Sequence, residues 1–297
     1  MRLGIIGQPC IDEIVAINGT LQSLSLGGIL YSYAAMEHSM RKEKGDSFIG
    51  LSWKSLPDAS ILDPFLTSLR HLEPKPQFST SHLTNRVRLI YASDSSRSEE
   101  CSIILPPLTQ REISQVDLRS LDGIFINMIS GFDLMLETLE WMRANTSAHI
   151  HLDVHALVLG DISQRNGSAR IPRGVDHWQR WLSCVDSIQL NELETQWFAS
   201  PEITNENVLI DHVRLVRSKA LVITRAERGA SCYVLDKEYH TQAPSTSIID
   251  TTGSGDVFGS VFLYRYLQSH DYESALSDAV EAASRNCEIK GVEGWLA

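Results

Sequence analysis

The residues best equipped for chemistry lie in DTTGSGDVFGSVF, Asp250 to Phe262. Gly253 and Gly255 let the backbone turn tightly and approach a ligand with no Cβ in the way, and Ser254 adds a hydroxyl. An apolar run follows, so a helix begins near Asp256. Its unpaired first-turn N–H groups and positive dipole end make a site for an anion, such as a phosphoryl group in transfer. Asp256 then stands beside that site, where a carboxylate can take a proton from an attacking hydroxyl. The same residues also fit a plain capped turn. They are not a P-loop, because no Lys-Ser/Thr pair follows the glycines. On this motif alone the two readings stand level.

The elements that must position these residues are legible as alternation. LGIIG, DGIFINMIS, HIHLDV, DSIQLN and ALVITR are short runs rich in Ile, Val and Leu that end at polar or glycine residues, as parallel strands buried on both faces do. Segments such as GFDLMLETLEWMRAN and VDHWQRWLSCV carry apolar residues at helical spacing between them. The expected class is therefore α/β: a doubly wound, mostly parallel sheet with helices on both faces, in one domain over residues 1–297. Two regions break the alternation, about 12–28 and 75–105. They read as strands with turns such as SDSS, forming a small β layer able to cover a pocket. DISQRNGSARIPRG reads as a surface loop.

Composition narrows the partners. The chain has 297 residues, a formal net charge of −11 and no Lys/Arg block beyond MRKEK, so a nucleic-acid backbone is not an expected partner. The start, MRLGIIGQPCIDEIVAI, is broken by Gly7, Pro9 and Asp12 and reads as a buried strand rather than a signal peptide. No membrane partner is expected, and the expected location is cytoplasmic. The five cysteines are scattered, with no CxxC pair, and read as small core residues.

DTTGSGDVFGSVF resembles the C-terminal signature of the PfkB, or ribokinase-like, family of carbohydrate and nucleoside kinases, usually DTTGAGDxFxxGF. Four other segments fall in the family's order: LGIIGQPCIDEIV with Asp12, LGG with Gly27 and Gly28, LNELE with its NxxE spacing, and VITRAERGA. The resemblance implies a ribokinase-like fold with a small β lid and ATP-dependent phosphorylation of a hydroxyl on a small sugar or sugar-like acceptor. Asp256 is then the general base, and Gly253, Ser254 and Gly255, with the Asp256 N–H, form the anion hole. Asp12, Gly27, Gly28, Ser32 and Gly131 fall at acceptor positions. Asn191, Thr224, Gly229 and Asn286 fall at nucleotide positions. Glu194 acts near Mg2+ through water, which suits magnesium's retention of its waters, and Asp250 and Thr252 match positions that hold a monovalent cation, K+. The β layer's edges offer a surface for a homodimer.

The acceptor side departs from the family pattern. The usual GGxxxN reads GGILYS here, with Ser32 in place of the asparagine, and Ala226 replaces the usual first glycine of the nucleotide turn. These departures keep two alternatives open: a nucleoside kinase that uses Tyr31, Tyr33 and Phe132 against a base, or a catalytically weak ligand-binding relative. Arg86 and Arg88 are candidates for a phosphate already on the substrate, although alternate arginines on a strand are more often simply solvated. In HIHLDVH, strand alternation puts His149, His151, Asp153 and His155 on one face. Same-face positions are nearly 7 Å apart, about 20 Å in all, too far to converge on one ion.

Overall fold

A computed structural model describes residues 1–15, 19–74, 77–93, 96–160, 170–216 and 219–296. Most of the expected surface loop, residues 161–169, lies outside them. So do residues 16–18, 75–76 and 94–95 of the expected β layer.

All five apolar runs become strands of one eight-stranded sheet. In chain order its members are β1 (Arg2–Ile6), β4 (Ser47–Leu51), β9 (Gly123–Asn127), β10 (His149–Asp153), β11 (Ser187–Asn191), β12 (Ala220–Thr224), β13 (Ala230–Val234) and β14 (Lys237–Thr241). The spatial order is β14-β13-β12-β11-β10-β9-β1-β4. From β4 to β12 every pairing is parallel; β13 and β14 close one edge antiparallel. Alternate residues of each strand go to opposite cores. Ile124, Ile126, Ile150, Leu152, Ile188 and Leu190 face one side, whereas Leu3, Ile5, Phe125 and Val222 face the other. That is why these runs are apolar throughout instead of alternating with polar residues.

The first core is covered by α3 (Gln110–Ile113), α4 (Leu136–Asn145), α5 (Trp178–Cys184) and α7 (Glu206–Leu215). The second is covered by α1 (Leu30–Met40), α2 (Ala59–Ser68), α8 (Ser254–Ser269) and α9 (Tyr272–Cys287). A short α6 (Glu192–Trp197) follows β11 directly. Gly259 lets α8 lie close on the sheet, because a Cβ there would come within 2.7 Å of both Gln189 Oε1 and the Phe125 ring. No described helix is long and apolar enough to cross a membrane.

The two regions that broke the alternation supply a second, four-stranded sheet in the order β3-β2-β7-β8, from β2 (Pro9–Val15), β3 (Leu21–Gly28), β7 (Asn85–Ser93) and β8 (Ser96–Ile103). The strand expected at its start, β6 (Phe78–Thr80), instead pairs with β5 (Trp53–Ser55) in a separate parallel ribbon. Only Gly7 and Gln8 separate β1 from β2, so the small sheet starts directly from the carboxyl end of a central strand. In open α/β sheets that end is where ligands bind.

Candidate active site

The loop before α8 is held from three sides. Asp250 Oδ1 accepts the Thr252 N–H at 2.9 Å. Gly253 takes a left-handed φ of 78° as the N-cap, and a Cβ there would lie 2.2 Å from the Tyr31 ring. Glycine is thus required twice over, by its φ and by its neighbour. Asn286, on α9, is buried; its amide donates to the Thr252 carbonyl at 2.8 Å and to Ser254 Oγ at 3.1 Å, while its oxygen accepts from Trp295 Nε1 at 2.8 Å. Both amide hydrogens of Asn286, expected at a nucleotide position, are committed to shaping the loop. The Ser254 hydroxyl also meets Cys287 Sγ at 3.3 Å.

So held, the helix start keeps donors available. The Ser254 N–H reaches Thr251 O at 3.3 Å, whereas the Gly255 and Asp256 N–H groups take no carbonyl partner among the described residues. Among the described residues a methyl at Gly255 would meet only Gln189 Nε2, at 3.9 Å, so neither their packing nor φ demands glycine there.

Asp256 is 5% exposed, in the first turn of α8. Asn127 Nδ2 donates to its Oδ1 at 2.8 Å, and His155 Nε2 stands 4.0 Å away. Burial holds its carboxyl above the usual range, against the pull of His155 and Asn127. Register places Asn127 and Asp153, the last residues of β9 and β10, side by side with Gln189 in the middle of β11. Gln189 Nε2 bridges Asp153 Oδ2 at 3.0 Å and the Gly255 carbonyl at 3.1 Å, which fixes the helix start to the sheet. Burial pushes Asp153 well above the ordinary carboxylate range, helped by Glu194 and Asp256. Glu194 rises to about 7, chiefly through burial.

Sequence reasoning passed over Asn127 and Gln189. Their signal was a polar residue within or at the end of a run buried on both faces, repeated on nearby strands. His155 leaves the strand face expected for it: β10 ends at Asp153, and His155 sits in the following turn with a φ of 39°. His149 and His151 share Ser187 Oγ, at 2.9 and 2.7 Å, and pack on Tyr266 and Phe262. Burial lowers them to about 4 and about 3.

Asn191 and Glu194 form a reciprocal capping box on α6. Asn191 Oδ1 accepts the Leu193 and Glu194 N–H groups at 2.9 Å each, and Glu194 Oε2 accepts the Asn191 N–H at 2.8 Å. Thr224 ends β12 beside Asn191 in register. In the turn that follows, Ala226 adopts a φ of 50°, so the backbone turns as a glycine would despite the substitution. Gly229 has a φ of 83° and no room for a Cβ, which would fall 1.9 Å from Thr241 O. The two positions therefore predict opposite effects in denaturant unfolding: Ala226→Gly stabilises by about 1 kcal/mol through relief of left-handed strain, and Gly229→Ala destabilises by more than about 1 kcal/mol.

On the acceptor side, Asp12 is buried in β2, opposite Ser25, and accepts from Cys10 Sγ at 3.3 Å. Its carboxylate lies against Gly27, where a Cβ would be 2.6 Å from Oδ2. Gly28 takes a φ of 62° and packs on the Gln8 carbonyl, and Gly131 takes 77° under the Ala156 carbonyl. Ser32 was expected at an acceptor position. It is fully buried and donates to the Asp256 carbonyl at 3.0 Å, so it ties α1 to α8 instead of facing an acceptor. Tyr31, its neighbour, is buried over Gly253. Burial raises its phenol pKa, with Asp250, Asp12 and Asp256 adding to the shift.

Comparison with known proteins finds relatives in sequence and in fold. Residues 158–294 match the family described as pfkB family carbohydrate kinase. A deoxyribokinase of Salmonella typhimurium is 36% identical over 73 residues, 25% of this chain and 24% of the relative. The fructosamine kinase FrlD of Bacillus subtilis is 35% identical over 78 residues, 26% of this chain and 28% of the relative. The matched segment thus spans about a quarter of the length of these curated relatives. The sulfate complex of a pyrophosphate-dependent kinase in the ribokinase family superimposes with a TM-score of 0.78 at 15% identity, over 98% of this chain and 96% of that one. The ribokinase of Thermotoga maritima gives 0.72 at 14%, over 100% and 96%. An E. coli chain in complex with ATP and Mg2+ gives 0.77 at 16%, over 100% and 96%. The fold is ribokinase-like, and the chain carries a PfkB family segment that includes DTTGSGD, as the resemblance implied.

The raised Asp256 pKa has a measurable consequence for stability. A carboxyl whose folded pKa lies above its unfolded value favours the fold while protonated, and that contribution is lost as pH rises through the folded pKa. Asp256→Asn removes the cost of burying the charge. The variant is expected to melt above wild type at pH 8, with the gap closing toward pH 4; melting curves across that range measure it.

Proposed function

We propose that the protein is a kinase that transfers the terminal phosphoryl group of ATP to a hydroxyl of a small sugar or sugar-like acceptor. One observation carries this reading: the buried Asp256 carboxylate stands on the same helix turn as two N–H groups that take no carbonyl partner among the described residues. A proton acceptor and an anion site within one turn are what in-line phosphoryl transfer requires.

Asp12 holds hydroxyls of the acceptor, and the four-stranded sheet acts as a lid that excludes water over them. As the acceptor oxygen bonds to phosphorus, Asp256 takes its proton, and the bond from that phosphorus to the leaving ADP oxygen breaks. The Gly255 and Asp256 N–H groups bear the charge that develops on the transferring oxygens. Asn127 keeps the Asp256 carboxylate aimed, and Gln189 keeps the helix start in register with it. Thr224 and Gly229 shape the nucleotide side.

Among the described residues no three His, Cys, Asp or Glu side chains group closely enough to hold a metal ion. Glu194 on the rim fits an ion held mainly by water and nucleotide phosphates, as magnesium prefers. Bound there, Mg2+ would neutralise phosphate charge. Asp250 and Thr252 are the candidates for a monovalent ion, so the assay is run with and without K+.

The aromatic residues favour a sugar over a nucleoside. Tyr31 and Tyr33, two of the three rings available to stack on a base, are buried in the core. Against the binding-only alternative stands Ala226, which keeps the glycine-like turn.

The test is phosphoryl release from Mg-ATP, with pyrophosphate as a second donor, against sugars and nucleosides. Turnover with a sugar is expected, falling toward acid pH as Asp256 takes up its proton. Asp256→Asn should lower kcat by about 10²–10⁴-fold with nucleotide binding retained; near wild-type turnover by that variant would remove Asp256 as the base.

A further inference from the structure

The turn after β10 brings one more side chain to Asp256. His155 opens the short 3-10 turn His155–Val158, whose backbone is fixed from outside. The Val154 N–H donates to the Gln189 carbonyl at 3.1 Å, and the Ala156 N–H to the Met128 carbonyl at 3.0 Å. Met128 O also accepts the Gly131 N–H at 3.1 Å, so one carbonyl joins this turn to the acceptor-side turn at Gly131. Held in this way, His155 keeps a φ of 39°, a left-handed conformation that a residue with a Cβ adopts only where its surroundings impose it.

The imidazole takes no part in the bonding of the turn. Among the described residues it makes no hydrogen bond; its side chain is 43% exposed, and Nε2 stands 4.0 Å from Asp256 Oδ1. That separation is too long for a direct hydrogen bond, yet a single oxygen about 2.8 Å from each atom spans it. Oδ1 accepts from Asn127 at 2.8 Å and, as a carboxylate oxygen, has room for a second donor. An acceptor hydroxyl has the matching set of sites. Its hydrogen goes to Asp256, one lone pair goes to phosphorus, and the other lone pair is left for a donor.

We propose that His155 is a further catalytic residue, whose Nε2–H donates to the acceptor oxygen lying between it and Asp256 and so fixes the direction in which that hydroxyl points. The proposal rests on reading the start of α8 as a phosphoryl-transfer centre. In the transfer step the acceptor O–H bond breaks toward Asp256, the new O–P bond forms and the bond from phosphorus to the leaving ADP oxygen breaks. His155 keeps its proton throughout. Both the imidazolium and the neutral tautomer protonated at Nε2 supply the donor. The charge of a protonated His155 also bears on Asp133, Glu194 and Asp256. A role exerted only through those carboxyl groups needs the cation, whereas the donor role does not.

Three variants of the full chain separate the two roles. His155→Gln keeps an N–H donor at similar reach without a charge, His155→Leu removes the donor at similar size, and His155→Gly removes it while relieving the left-handed φ. Each is assayed beside wild type with Mg-ATP, and with pyrophosphate as a second donor, on the sugar or nucleoside that wild type turns over fastest. His155→Leu and His155→Gly are expected to lower kcat by about 10²-fold, the scale of a misplaced reacting group, with the KM for ATP unchanged. His155→Gln is expected to recover most of that loss. The Tm of His155→Gly, at or above wild type, separates lost chemistry from lost fold. Near wild-type turnover by His155→Leu overturns the proposal, and so does a His155→Gln as slow as His155→Leu, which would assign the effect to charge. A wild type inert toward every sugar and nucleoside with both donors removes the phosphoryl-transfer reading, and this role of His155 with it.

Discussion

A helix can offer its first N–H groups to a ligand only if something other than those bonds fixes where the helix starts. That constraint organises this molecule. At α8 the start is set by Gly253 in a left-handed turn under Tyr31, by the Asn286 amide on the preceding loop, by Ser32 on the Asp256 carbonyl and by Gln189 on the Gly255 carbonyl. These contacts come from three separate elements: α1, α9 and β11. The long-range packing of the second core is therefore what leaves two N–H groups available at the site. Polar residues of β9, β10 and β11 belong to the same arrangement, since register puts Asn127, Asp153 and Gln189 in one row.

Electrostatics work against stability there. Three carboxyl groups, Asp153, Glu194 and Asp256, are all pushed upward in pKa mainly by burial, with Asp256 pressing on the other two. A fold selected only for stability would not gather them. A site that needs a proton acceptor in a water-poor cleft would, because burial moves a carboxyl toward the pH at which a general base is effective. His155, 4.0 Å from Asp256, partly offsets the repulsion from a turn of unusual backbone geometry.

Much of this was legible in the sequence because it is local. DTTGSGD encodes the glycine turn and the acid within seven residues, and the five apolar runs encode the buried strands. NELE was legible as a pattern, and its capping box is a short-range consequence of that spacing. What could not be read was which polar side chains meet across the fold. Ser32 and Asn286 occupy positions where a ligand contact was expected, yet their partners lie 224 and 34 or fewer residues away and are fixed only by packing. Asn127 and Gln189 were hidden for the same reason: their importance comes from strand register, which no single segment carries. Ala226 shows the converse, a residue type that argues against a turn which the surrounding hairpin imposes regardless.

The central claim is that the start of α8 receives the transferring phosphoryl group beside Asp256. The most direct measurement is a crystal structure with Mg-ADP and aluminium fluoride, a mimic of that group in transit. The account predicts the fluoroaluminate within hydrogen-bond distance of the Gly255 and Asp256 N–H groups, with the Asp256 carboxylate on its acceptor side. ADP and the fluoroaluminate bound elsewhere on the protein, with neither N–H group in contact, would contradict it.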